Sequence, residues 1–125
     1  MKLIQGISGI RGIVEQTFTE SILSKYTQAF SMIQGDGDIL IARDSRKHGK
    51  DFIKLGCQTL QKCGRNIQNF GIIPTPTAQF LVEKHKLAGG IMITASHNPI
   101  EWNGLKFIRG DGTFFRPDEC DNLFS

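Results

Sequence analysis

Nowhere does this sequence hold an apolar run long enough to cross a bilayer, which takes about 20 consecutive residues. Residues 3–14 come nearest, but Gly6, Gly9, Arg11 and Gly12 interrupt them, so the segment does not read as a signal-peptide core either. No membrane association is expected. Lysine and arginine are never gathered into a block, and the net charge of +3 is spread along the chain. A nucleic-acid partner would require a basic stripe with exposed aromatics or a docking helix. Neither is legible, and the mild positive balance suits small anionic ligands better. Cysteine is scarce and odd in number: Cys57, Cys63 and Cys120 lack metal-ligand spacing. That fits a reducing cytoplasm, with Cys57 and Cys63 packing as small apolar residues on a helix. Repeats, linkers and low-complexity tracts are missing as well.

What is present is a chain of 125 residues, enough for one domain with a real core. Its opening, punctuated by glycine, reads as a strand or two about a tight turn. Thr17 or Thr19 can cap a helix running to about Gln34, with Ile22, Leu23, Tyr26, Phe30 and Ile33 at helical spacing. Gly35-Asp36-Gly37-Asp38 is a turn, and Ile39-Leu40-Ile41 a buried strand. A second helix over 49–63 turns Phe52, Ile53, Gly56, Leu60 and Cys63 inward and stops at Gly64. A third strand within 66–73 leads to Pro74-Thr75-Pro76-Thr77, a rigid turn into a short helix through Phe80, Leu81 and His85. Residues 87–95 form a fourth strand, and 105–108 with 113–115 a hairpin around Gly110-Asp111-Gly112. Pro117-Asp118-Glu119 begins a helix that stops at Ser125 after scarcely two turns, as in a piece of a longer chain. Alternating strands and helices predict one α/β domain over 1–125, built in three layers, α/β/α.

Chemistry concentrates at Thr94-Ala95-Ser96-His97-Asn98-Pro99. The preceding Gly89-Gly90-Ile91-Met92-Ile93 suits a strand buried on both faces, and ligands collect at the strand ends of open α/β sheets. Asn98 and Pro99 stiffen the turn, which presents Ser96 as a fixed, exposed hydroxyl. A serine hydrolase would need an imidazole against that hydroxyl. Adjacent residues rarely achieve this, and the sequence lacks a Gly-x-Ser-x-Gly elbow. Arg11, within Gly6-Ile7-Ser8-Gly9-Ile10-Arg11-Gly12, has two readings. It is either a solvated loop charge or a forked donor beside glycines that let backbone amides approach an anion. Arg43-Asp44-Ser45-Arg46 fits an internal ion-pair network at a strand end. His48 and His85 lack a ligand set and read as surface histidines, while Trp102 packs the loop.

Together with Asn103-Gly104-Leu105-Lys106, the Ser96 segment resembles the phosphoserine loop of the α-D-phosphohexomutases, the family of phosphoglucomutase, phosphomannomutase and phosphoglucosamine mutase. The glycine-rich block around Arg11 and Ala42-Arg43-Asp44-Ser45-Arg46 agree with that family in order and spacing. The resemblance covers nearly the whole chain, but only the first of the family's four domains. It implies a mixed, mostly parallel sheet. It also implies interconversion of hexose 1-phosphate and 6-phosphate through a hexose 1,6-bisphosphate that primes the enzyme. In that scheme Ser96 carries the phosphate and, through it, binds Mg²⁺, while Arg11, Lys106 and Asn98 hold phosphate. His97 and Lys106 both remain open as the proton handler. The remaining domains of the same chain would supply the metal loop, the sugar-selecting loop and a further phosphate loop, leaving this domain inert alone. The stretch from Trp102 to Lys106 is similar to bacterial sequences regarded as acting on amino-sugar or mannose phosphates. Gln5-Gly6-Ile7 departs from the family's Phe-Gly-Thr. That departure motivates an alternative: a non-catalytic anion-binding or oligomerisation domain on the same fold.

Overall fold

The computed structural model describes residues 4–5, 9–95 and 101–115. Ser96, His97, Asn98, Cys120 and the expected helix start at Pro117 lie outside them. Strands β1 (Ile4–Gln5) and β2 (Gly9–Ile13) open the chain, followed by α1 (Glu20–Ile33), β3 (Ile39–Arg43) and α2 (Gly49–Lys62). Then come β4 (Ile67–Ile72), α3 (Thr75–Lys84), β5 (Gly89–Ile93) and β6 (Trp102–Arg109). No helix among the described residues is long and apolar enough to cross a membrane.

Local chemistry sets most boundaries. Thr19, not Thr17, caps α1, its hydroxyl oxygen accepting from the Ile22 amide at 3.2 Å. Thr17 instead accepts from the Ile13 amide at 2.9 Å and closes the turn before the helix. Gly64 adopts φ +84°, where glycine meets no Cβ penalty. The Arg65 amide can then reach the Leu60 carbonyl at 3.0 Å, the six-to-one bond that ends α2. Pro76 lies in the first turn of α3, where a missing amide hydrogen costs nothing.

The sheet has six strands in the order β1-β2-β6-β5-β3-β4. β5–β3 and β3–β4 pair in parallel, whereas β1–β2, β2–β6 and β6–β5 are antiparallel. The sheet is therefore mixed: β2, β3, β4 and β5 share one direction, and β1 and β6 oppose them. From β3 the chain steps outward to β4 through α2, then back past β3 to β5 through α3. Right-handed crossovers in opposite directions put the two helices on opposite faces. Side-chain alternation agrees. Ile39, Ile41, Ile91, Ile93, Leu105 and Phe107 pack with Leu23, Phe30, Phe52 and Leu60 of α1 and α2. Leu40, Ala42, Met92 and Ile108 pack with Ala78 and Val82 of α3. These are the three expected layers.

Cys63, expected inward, faces out, and so does Ile33 of the helically spaced apolar set on α1. Ile33 is 48% exposed, and Cys63 is exposed, because each lies at the last turn of its helix where the chain leaves the sheet. β6 begins at Trp102, earlier than expected, and continues into a short return: Arg109 N donates to Thr113 O at 2.7 Å and Phe115 N to Phe107 O at 3.1 Å. At its tip Asp111 accepts from the Thr113 hydroxyl and amide, which holds its carboxyl below the usual range. The Gly35-Asp36-Gly37-Asp38 turn is fixed by Arg65. Its guanidinium donates to Ser31 Oγ and to the carbonyls of Ser31, Gln34, Gly35 and Gly37. One side chain thus caps α1 and braces the turn into β3.

β2 and β6 approach unusually closely. A Cβ built on Gly104 would lie 2.7 Å from Arg11 Cα and 2.8 Å from Arg11 Cβ. Backbone cannot yield as a side-chain tip does. Gly104→Ala is expected to destabilise the domain by about 1–3 kcal/mol, seen as a lower urea midpoint with an unchanged slope.

Candidate functional site

The C-terminal ends of β3 and β5 lie side by side, Arg43 opposite Ile93. The chain goes from β3 to β4 on one side and from β5 to β6 on the other, so the strand order reverses there. Such a switch point is where open α/β sheets gather ligands, and the loop leaving β5 is the one that contains Ser96. Ser96, His97 and Asn98 themselves lie outside the described residues.

The stems of that loop are fixed by pairing. Thr94 N donates to Gly104 O at 2.9 Å, and Gly104 is the register partner of Arg11. Thr94, Gly104 and Arg11 therefore form one row across the end of β5, β6 and β2. The row of Met92, Lys106 and Gly9 runs parallel to it, two residues back along β5. Because residues two apart share a face, Arg11 and Lys106 stand on the same side of the sheet, that of α3. They are diagonal cross-strand neighbours, a relation that spans roughly 7–8 Å. Arg11 is exposed; Lys106 is half-buried, with Nζ 5.3 Å from the Phe114 ring centroid. Register has brought together two cations separated by most of the sequence. On the far side of the loop, Glu101 O accepts from Val14 N at 2.9 Å, tying the returning chain to the end of β2.

At the ends of β3 and β5 lies the network expected from Arg43-Asp44-Ser45-Arg46. Asp44 Oδ2 accepts from Arg46 Nε at 3.1 Å and from the Thr94 hydroxyl at 2.7 Å. Asp44 Oδ1 accepts from Arg46 N at 3.1 Å. Arg46 Nη1 reaches Trp102 O at 3.3 Å, and Arg43 Nη1 reaches Asp44 O at 3.3 Å. Sequence reading found the ion pair but missed Thr94 as its third member. No local signal marks a threonine for a carboxylate 50 residues away. Asn103 was also missed as a buried group. It is fully buried, its Oδ1 accepts from Gly104 N at 2.9 Å, and its Nδ2 has no partner among the described residues.

Other candidates do not converge. A cavity of about 290 Å³ between the starts of α1 and α2 is lined by Glu15, Glu20 and Asp51 beside Phe18 and Phe52. It faces away from Arg11, and its acidic wall is unsuited to phosphate. His48 belongs to that wall, and His85 stacks on Phe70 with ring centroids 6.3 Å apart. Burial pushes the Cys57 thiol up, which disfavours the reactive thiolate. No group of three or more His, Cys, Asp or Glu among the described residues could hold a metal ion.

Comparison with known proteins bears on this arrangement. A family model described as phosphoglucomutase/phosphomannomutase, alpha/beta/alpha domain I, matches residues 2–124. The phosphoglucosamine mutase of Prochlorococcus marinus subsp. pastoris is 40% identical over 113 residues, 90% of this chain and 25% of that protein. A crystal structure from Thermus thermophilus superposes with a TM-score of 0.90 at 30% identity, covering 97% of this chain and 29% of that one. A phosphoglucomutase/phosphomannomutase family protein from Burkholderia thailandensis gives 0.85 at 25% identity, with 97% and 29% covered. The chain spans about a quarter of the length of the curated relatives it matches.

Among the described residues neither cation makes an ion pair. Arg11→Ala is expected to change stability by no more than about 0.5 kcal/mol. Lys106→Ala should lose in addition the Phe114 contact, about 0.5–1 kcal/mol. Urea denaturation of the two variants checks both values.

Proposed function

From its membership in the phosphoglucomutase/phosphomannomutase family, to which this chain belongs as an α/β/α domain I, we propose that it is the phosphoserine-bearing domain of a phosphohexomutase. Ser96 is the phosphate carrier. The observation that carries this reading is the row of Thr94, Gly104 and Arg11, which brings a guanidinium to the level where the serine loop leaves β5.

Phosphate on Ser96 brings about −1.5 to −2 charge at neutral pH. Arg11 can meet two of its oxygens with one fork, Lys106 adds a point charge from the neighbouring row, and Asn98 donates through its amide. In the transfer a sugar hydroxyl attacks phosphorus, and the bond from phosphorus to Ser96 Oγ breaks. The hydroxyl proton goes to His97 or Lys106. The resulting hexose 1,6-bisphosphate then returns its other phosphate to Ser96 Oγ, and added bisphosphate primes an unphosphorylated serine in the same way. Phosphoryl transfer depends chiefly on positioning and on stabilising charge at the phosphoryl oxygens. A phosphate on Ser96 would be the ligand this domain offers to Mg²⁺, which would supply further positive charge there. Its other ligands, and the rest of the sugar site, belong to the remaining domains of the same chain. A phosphorylated amino sugar is the favoured substrate, supported by the name of the 40% identical relative. The cytoplasm is the setting that suits the free cysteines.

Incubating the complete protein with a hexose 1,6-bisphosphate and mapping phosphate by mass spectrometry should label Ser96. Label on another residue overturns the assignment. Lys106→Ala should lower turnover by ~10²–10³, or about 2.7–4 kcal/mol of transition-state stabilisation, with substrate affinity little changed. Near-normal turnover would remove Lys106 from the site.

A further inference from the structure

We propose that Asp44 and Arg46 are positioning residues for Ser96, acting through the Thr94 hydroxyl. The inference rests on Ser96 being the phosphate carrier. The Asp44 carboxylate stands at the end of β3, outside the loop it serves. One of its oxygens takes the Thr94 hydroxyl at 2.7 Å and Arg46 Nε at 3.1 Å, and the other takes the Arg46 amide at 3.1 Å. Thr94 precedes Ser96 by two residues, and Arg46 also reaches Trp102 O, where the chain joins β6. A single ion pair is thus wired to both stems of the loop.

The pair is placed to hold its geometry. Thr94 is 5% exposed and Arg46 8%, so little water competes for these bonds. Arg46 fixes the carboxylate through its amide and its Nε, so the oxygen facing Thr94 is aimed in advance. Arg46 also balances the Asp44 charge, so the carboxylate bonded to Thr94 is not left unpaired when a negative phosphate forms on Ser96. Sheet formation does not need the hydroxyl contact. The Thr94 amide bond to Gly104 and the Glu101 bond to Val14 hold the stems to β6 and β2 regardless. What the hydroxyl adds is a second anchor on Thr94, two residues before Ser96 in sequence, and a small misplacement of a reacting group costs turnover steeply.

The test uses the complete protein. Thr94→Val keeps the shape and removes only the hydroxyl. Its turnover should fall roughly 10-fold or more while KM stays within about twofold and the melting temperature is near that of the parent. Thr94→Ser should recover most of the loss. Asp44→Asn keeps an acceptor for Thr94 but loses the ion pair, and should lower turnover severalfold at steady KM. The double variant should be no slower than the slower single one, since both changes break the same connection. Parental turnover in Thr94→Val, or losses that multiply in the double variant, would overturn the proposal. If Thr94→Val does not fold, Asp44→Asn decides, and parental turnover there overturns it. Phosphate mapped to Ser96 in the parent keeps the carrier reading intact whichever way the variants fall; phosphate mapped elsewhere ends both.

Discussion

Everything in this domain is hung on β5. All five of its residues are buried, and it is hydrogen-bonded on both sides, to β3 in parallel and to β6 in antiparallel. A backbone with no access to water must pair every amide and carbonyl, so β5 tolerates no slip relative to either neighbour. A one-residue slip would also exchange Ile91 and Ile93 with Met92 between two cores that differ in shape. Gly90 lets Val82 of α3 pack against the strand where a Cβ would stand 2.9 Å from that side chain. The candidate chemistry therefore begins where the strongest part of the sheet ends.

What the sequence made legible was local. β3 and β5 announce themselves as short β-branched runs, α1 by a threonine cap, α2 by its terminal glycine and α3 by its prolines. What it hid was long-range. Asn103-Gly104 is a dipeptide with strong turn preference, yet it lies inside β6, where pairing with Gly12 and Arg11 overrides that preference. Arg65 gave no signal either: one arginine after a glycine looks like any surface charge, and its role depends on carbonyls about thirty residues away.

The candidate site shows the same division. Ser96 stood out by its place after a buried apolar strand and Arg11 by its glycine-rich block, while His97, Asn98 and Lys106 drew their roles from a family resemblance; only Arg11 and Lys106 lie among the described residues, and register alone puts those two on one face. Lys106 carries no local mark that distinguishes it from the other fourteen of the 15 basic residues, and Arg11 only its glycine-rich surroundings. Asp44 and Arg46 were legible as partners because they are two apart and of opposite charge, but their connection to Thr94 exists only once β3 and β5 are neighbours.

The sheet order also sets a timetable for a chain made from its N-terminus. β2 is translated almost first, but apart from the two-residue β1 its partner is β6, the last of these strands to be synthesised. β3, α2 and β4 can associate as they emerge, since their contacts lie close in sequence. Arg11 must wait until Gly104 has left the ribosome. Nascent chains halted before β6 would thus hold a core of parallel strands and helices with the β6-facing edge of β2 unpaired and open to other chains. The cationic face is the final part of the domain to come into being.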